Sequence, residues 1–294
     1  MRNGWIRCLL WISALLAGGA VVAPSAHAQE PPYFVAYGQA MEESGNLEIN
    51  VNGTYGTQKG GNDYIAYWTE FEYGVKGWWT TEFYLDGQST FHDGSLYTGF
   101  RWENRFHPLM KQHWINPVLY VEYENTNGAD KTMKEVVGFD GDADSADPNS
   151  ESRGEIEHEI ETKIILGSNF KGWDIAENFI GEKNLGHEPW EFGYALGASR
   201  PLRLSALSRT CAFCLENFAA GAEMYGGLGT VQDFTLSGTS HYLAPILAWQ
   251  LPNGVNLRIS PTFGLTDESH RFLLRFGVSY EFSGLGRKLR SLFR

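Results

Sequence analysis

Phe272-Leu-Leu-Arg-Phe-Gly-Val-Ser-Tyr-Glu-Phe282 alternates apolar and polar residues almost without a break. In extended backbone Phe272, Leu274, Phe276, Val278, Tyr280 and Phe282 share one face, and Leu273, Arg275, Gly277, Ser279 and Glu281 share the other. The first face is continuously oily. The second carries charges that an apolar core does not take up unpaired. A strand of this kind fits hydrocarbon outside and a wet lumen inside.

The same period recurs along the chain. Leu47, Ile49 and Val51 open the series. Ile65 to Tyr73, Trp79 to Leu85, Leu96 to Phe106, Leu119 to Tyr123 and Ile156 to Leu166 continue it. From Trp173 to Glu182 the pattern is ambiguous; Trp190 to Leu196, Phe218 to Met224, Tyr242 to Ala248, Val255 to Phe263 and Phe272 to Phe282 restore it. The reading is an all-β chain of about twelve antiparallel strands. Connections alternate in length, which supports it independently. With the first strand rising from the periplasm, the short turns Gly74–Gly77, Ser168–Gly172 and Leu251–Gly254 fall on the periplasmic side. The longest connection, Asn125 to Gly154, falls outside.

Met1 to Ala28 reads as a secretory leader, with Arg2 and Arg7, an apolar run from Cys8 to about Val22, and Ala26-His27-Ala28 before the cut. That run is shorter than the ~20 residues of a spanning helix. The whole chain has 23 Lys plus Arg against 35 Asp plus Glu, a net charge of −12 that grows more negative once the leader leaves. Such acidity excludes nucleic acid as an expected partner. The mean hydropathy of −0.30 does not argue against a membrane, because alternation averages a lipid face with a polar one.

From about Asn46 to Phe282 the chain resembles the Gram-negative outer-membrane β-barrels. The resemblance implies outer-membrane lipid and lipopolysaccharide as surroundings, and an aromatic final residue used in assembly, which Phe282 matches by type. It departs in continuing through a basic tail, 283–294, with Arg287, Lys288, Arg290 and Arg294. The expected organisation is leader 1–28, periplasmic N-terminal segment 29–45, barrel 46–282 and tail 283–294. The segment 29–45 either hangs below the rim or enters the lumen as a small plug. The structural rival is a soluble sandwich or lipocalin-like barrel, whose core needs fewer outward Trp, Tyr and Phe than these strands supply.

Twelve strands lie between a packed barrel and an open pore, so lumen side chains decide whether solute passes. The inward phase places Glu70, Glu72, Glu82 and Asp86 on the second and third strands, Arg101, Glu103 and Arg105 on the fourth, and Glu122 and Glu124 on the fifth. It places Glu155, Glu157, Glu159 and Glu161 before Lys163 on the sixth, and Arg258, Arg271 and Arg275 on the closing strands. Carboxylates facing guanidinium groups across the ring would filter small polar or charged solutes. The alternative is that these groups pair into a salt-bridged plug. The expected role is a channel or transporter for small hydrophilic solutes, not an enzyme. The other readings are a surface-binding barrel with a closed lumen and a lipid-hydrolysing barrel built on His158, although no nucleophile-elbow motif appears.

Two local motifs complete the reading. Cys211 and Cys214 are expected to form a short disulfide in an oxidising compartment, because neither a haem-attachment His nor nearby zinc ligands accompany them. The segment that carries them, Ser199 to Cys214, is too long for a turn and is a candidate contact for a periplasmic partner. Asp140, Asp142, Asp144 and Glu151 mimic the spacing of a Ca2+ loop, but Ser145 stands where the sharp turn needs Gly. His92, His158, His187, His241 and His270 sit toward the outer side, with metal capture as the alternative to ordinary surface histidines. No cofactor is required.

Overall fold

The computed structural model describes residues 31–109, 111–132, 136–142, 146–186 and 188–292. The leader lies outside the described residues, as do Asp144 and His187. Twelve strands close into one antiparallel ring. They are β1 Leu47–Gly56, β2 Tyr64–Lys76, β3 Trp79–Thr90, β4 Gly94–Phe106, β5 Asn116–Asn127 and β6 Ile156–Phe170. The ring continues through β7 Trp173–Asn184, β8 Glu191–Pro201, β9 Phe218–Thr230, β10 His241–Gln250, β11 Asn256–Gly264 and β12 Phe272–Phe282. Two short helices, α1 (Asn149–Ser152) and α2 (Leu285–Leu292), lie outside the wall.

Closure is made by β12 pairing with β1, from Leu47 opposite Phe282 through Val51 opposite Val278 to Gly56 opposite Leu273. A closed ring leaves no open strand edge inside hydrocarbon. No helix among the described residues is long and apolar enough to cross a membrane. The strands cross instead.

Around the ring the outward side chains are open to their surroundings: Val51, Trp102, Leu119, Ile164, Phe179, Leu247, Ile259, Phe276 and Val278 are all exposed. A water-soluble barrel would cover such a belt. Lipid covers it here. The ambiguous stretch from Trp173 to Glu182 is β7, whose outward phase of Trp173, Ile175 and Phe179 is interrupted by exposed Glu177 and by Gly181.

Both ends of the wall and the turns 77–78, 171–172 and 251–255 lie at one end of the ring. Lys171 and Gly172, both at positive φ (50° and 83°), make the two-residue hairpin between β6 and β7, the backbone that a tight right-twisted hairpin requires. The long β5–β6 connection, 128–155, stands at the opposite, outer end, as outer-membrane barrels arrange it.

The candidate functional site is a strapped lumen

The inside of the ring is divided. On β7 to β10 many inward positions are small, Ala176, Ala195, Gly197, Ala219, Gly221, Ala244 and Ala248 among them. On β2 to β6 they carry long charged groups. The small-residue wall leaves a trough, and the N-terminal segment from residue 31 lies in it.

Three consecutive amides fasten this strap to one carboxylate. Glu223 of β9 accepts from Phe34 N at 3.1 Å, Val35 N at 2.8 Å and Ala36 N at 2.6 Å. Asn178 of β7 closes a ring with Tyr37, its Oδ1 accepting from Tyr37 N at 2.6 Å and its Nδ2 donating to Tyr37 O at 2.9 Å. Tyr33 donates its hydroxyl to Asp174 O at 3.0 Å. The Tyr33 ring also lies on Gly197, where an added Cβ would sit 2.8 Å from ring carbons. From β11 Arg258 donates to Tyr33 O at 2.8 Å, with its guanidinium 5.0 Å from the centre of the Phe34 ring. The strap is therefore held from both sides, and Val35 at its centre is wholly buried.

Opposite the strap, charges pair along the wall. Arg101 binds Asp86 at 2.9 Å and approaches Glu122 at 3.6 Å. Arg105 pairs with Glu72 and Glu82, and with Glu103 at 3.1 Å. Lys163 pairs with Glu161 at 2.8 Å. Tyr37 of the strap reaches this network, donating to Glu103 at 3.0 Å beneath the Lys163 ammonium, 4.4 Å from its ring centre.

β6 and β12 do stand on opposite walls, but Arg101, Arg105 and Lys163 are long enough to meet carboxylates on their own or nearby strands first. Of the sequence-derived lumen residues, Glu72, Glu82, Arg101, Arg105, Glu122, Glu161 and Arg275 are buried inside, and Glu70, Glu124, Glu157, Glu159 and Arg258 are half-buried. Glu155 and Arg271 fall one residue before β6 and β12 and are exposed at the outer rim.

Between the strap and the β1–β3 wall lies a polar cavity of about 100 Å3. Glu48, Glu70, Glu72 and Glu82 line it with Arg105 and Arg258, and Asn50 and Asn52 stand beside them.

The long outer connection dips into the mouth above. Its Val136 and Val137 are buried. Asp142 pairs with His270 at 2.6 Å, accepts from Lys59 N at 2.8 Å, and donates its amide to Glu268 O at 2.8 Å. This ties the β1–β2, β5–β6 and β11–β12 connections together. Of the calcium-like set, Asp142 is so engaged, Asp140 and Glu151 are exposed, and Asp144 lies outside the described residues. His158 sits on the outer face, its Nδ1 2.8 Å from Tyr123 Oη and 3.4 Å from Asn125 Nδ2. Cys211 and Cys214 are joined by a disulfide.

Sequence reasoning passed over Glu223, Asn178 and the strap contacts. Their one signal is the run of inward Gly and Ala on four successive strands, which leaves volume that some other segment must fill.

A closed ring, a lipid-facing belt and a hydrophilic interior define a transmembrane β-barrel of the outer-membrane class. No protein-family model and no curated protein sequence matches the chain. Among solved structures, an outer membrane channel from Pseudomonas putida F1 aligns with a TM-score of 0.53 at 10% identity, over 87% of this chain and all (100%) of that one. The KdgM porin gives 0.45 at 8% identity, over 80% and 99%. The translocator domain of autotransporter NalP from Neisseria meningitidis gives 0.42 at 13%, over 95% of each. At these identities the first establishes the barrel fold and nothing finer.

Proposed function

We propose that the barrel is a channel for small hydrophilic solutes, narrowed by its own N-terminal strap and favouring neutral or cationic solutes over anions. The observation that carries this reading is the polar cavity beside the strap. A barrel built only for structure has no need of a polar space between the strap and the wall, whereas a conduit does. Four carboxylates and two guanidinium groups face that space. The surplus of negative charge, focused by low-dielectric walls, raises the local concentration of cations and repels anions. The likeness to an outer membrane channel is a likeness of fold and is consistent with this role.

A closed lumen is the second reading, favoured by the buried ion pairs on the β2–β6 wall. Planar-bilayer recording of the folded protein in a KCl gradient separates the two. Small unitary currents with a reversal potential on the K+ side are expected. Absence of current in both the intact protein and one lacking residues 31–41 would favour the closed barrel, and an anion-side reversal potential would overturn the assigned selectivity.

A further inference from the structure

The connection from β8 to β9, residues 202–217, is the longest at the periplasmic end. Four other connections and both ends of the barrel wall meet there; this one leaves Leu202, Leu204, Leu215 and Phe213 exposed, Phe213 to 76%, as the β4–β5 connection leaves Trp114 and Ile115. The loop is not loose. Leu202 N donates to Phe218 O at 2.8 Å, Asn217 exchanges bonds of 2.7 and 2.9 Å with Ser208, and the disulfide closes the turn that carries Phe213. Exposure of these side chains is therefore built in.

Their direction is informative. Phe213 packs on Trp249, with ring centres 5.0 Å apart, and Trp249 stacks on Phe218 at 5.6 Å. Trp249 also donates its indole N–H to Ala212 O at 2.7 Å. Trp249 and Phe218 are in the outward phase of β10 and β9, so the disulfide turn folds upward against the lipid-facing side of the wall. Leu204 covers the neighbouring β6–β7 hairpin, within 2.3 Å of where a Cβ on Gly172 would stand. The apolar patch is thus continuous with the membrane belt, through Phe170 and Trp173.

Around it lie cations. Lys171 is 5.0 Å from the centre of the Phe170 ring, Arg200 is 6.0 Å from that of Trp173, and Arg203 and Arg209 are exposed on the loop. Glu216, 3.8 Å from Arg203, is the acidic group of the same loop. In a chain of net charge −12, four cations in one sector beside an aromatic rim form a local reversal of sign. Aromatic side chains settle at headgroup depth and long cationic ones extend toward phosphate.

We infer that residues 202–217, with the β6–β7 hairpin, form a disulfide-braced foot that binds the phosphate headgroups of phospholipids in the periplasmic leaflet, anionic ones by preference. The apolar residues enter the acyl boundary while Lys171, Arg200, Arg203 and Arg209 meet the phosphates. The inference concerns the outside of the wall and holds whether or not the lumen conducts.

Native mass spectrometry of the full barrel, released from detergent with an equimolar mixture of phosphatidylglycerol and phosphatidylethanolamine, tests it. The intact protein should retain phosphatidylglycerol preferentially, and the retention should fall with salt. Replacing Arg203 and Arg209 by Gln should lower it by roughly fivefold per cation at low ionic strength, while Lys183→Gln at the outer rim leaves it unchanged. Phe213→Ser should weaken retention of both lipids. Heat-modifiable gel migration identifies any variant that has failed to fold, and Arg203→Lys with Arg209→Lys, which keeps the charge, should restore binding. Equal retention by the intact and Gln-substituted barrels would overturn the assignment. So would loss of sedimentation with purified peptidoglycan at unchanged lipid retention, which would make the foot a cell-wall contact.

Discussion

Glu223→Gln isolates the fastening of the strap without changing side-chain volume. In the intact protein one carboxylate serves three strap amides at 2.6 to 3.1 Å. A hydrogen bond to a charged group contributes about 1.5–3 kcal/mol. The amide replacement loses the charge and turns one acceptor into a donor facing the Phe34 to Ala36 N–H groups, so docking should weaken by roughly 3 kcal/mol after allowing for non-additivity. That corresponds to an increase of about 100-fold or more in the undocked fraction. The assay is reaction of Val35→Cys with a water-soluble maleimide, because Val35 is wholly buried when the strap is seated. The labelling rate in the double variant should exceed that of Val35→Cys alone by a factor of that order, and unitary conductance should flicker to a larger level. Equal labelling rates and unchanged currents would refute the fastening role of Glu223.

Three further outcomes follow from particular contacts. Burial, then the charges of Glu281 and Glu48, push the Glu42 carboxyl up to about 8 in the seated strap. Above its ordinary range but below that value the seated form holds a proton that the free strap releases, so seating weakens as pH rises from about 5 to 9. Labelling of Val35→Cys, corrected for the thiolate fraction, should rise over that window, and Glu42→Gln should flatten the rise. Asp142→Ala strands the partners His270 and Lys59 N, at a cost of about 1–3 kcal/mol. Proteolysis within residues 128–155 should accelerate while the barrel stays folded, and an unchanged rate would count against the tie. Glu177→Leu removes a carboxylate from the lipid face between Leu166 and Leu196. It should stabilise folding into vesicles by on the order of 1 kcal/mol, read by urea titration, and a destabilised barrel would show that Glu177 has a partner in the membrane.

The wall of the barrel was legible because a strand between lipid and water must alternate, and Phe272 to Phe282 does so almost without exception. β7 was obscured by two residues alone, Glu177 and Gly181, which break the outward apolar phase while backbone pairing with β6 and β8 holds the strand in place. Side-chain parity separates inward from outward positions along a strand, but it says nothing about reach. Arg101 and Arg105 span to neighbouring strands, so their partners lie on one wall. Parity also stops where the strand stops, which is why Glu155 and Arg271 stand at the rim. The strap was the least legible part. Tyr33 to Tyr37 has no period of its own, and its place is dictated by a trough lined with Gly and Ala on strands more than a hundred residues away, where Glu223 captures three amides.

The most direct test of a strap-narrowed lumen is the unitary conductance of the barrel lacking residues 31–41, measured beside the intact protein in the same bilayer and salt. Removing the segment should raise the conductance severalfold and weaken the preference for cations, since Tyr33, Phe34 and Tyr37 no longer press solute against the acidic wall. Equal conductance in the two proteins would mean that the strap does not bound the path, and would contradict the account.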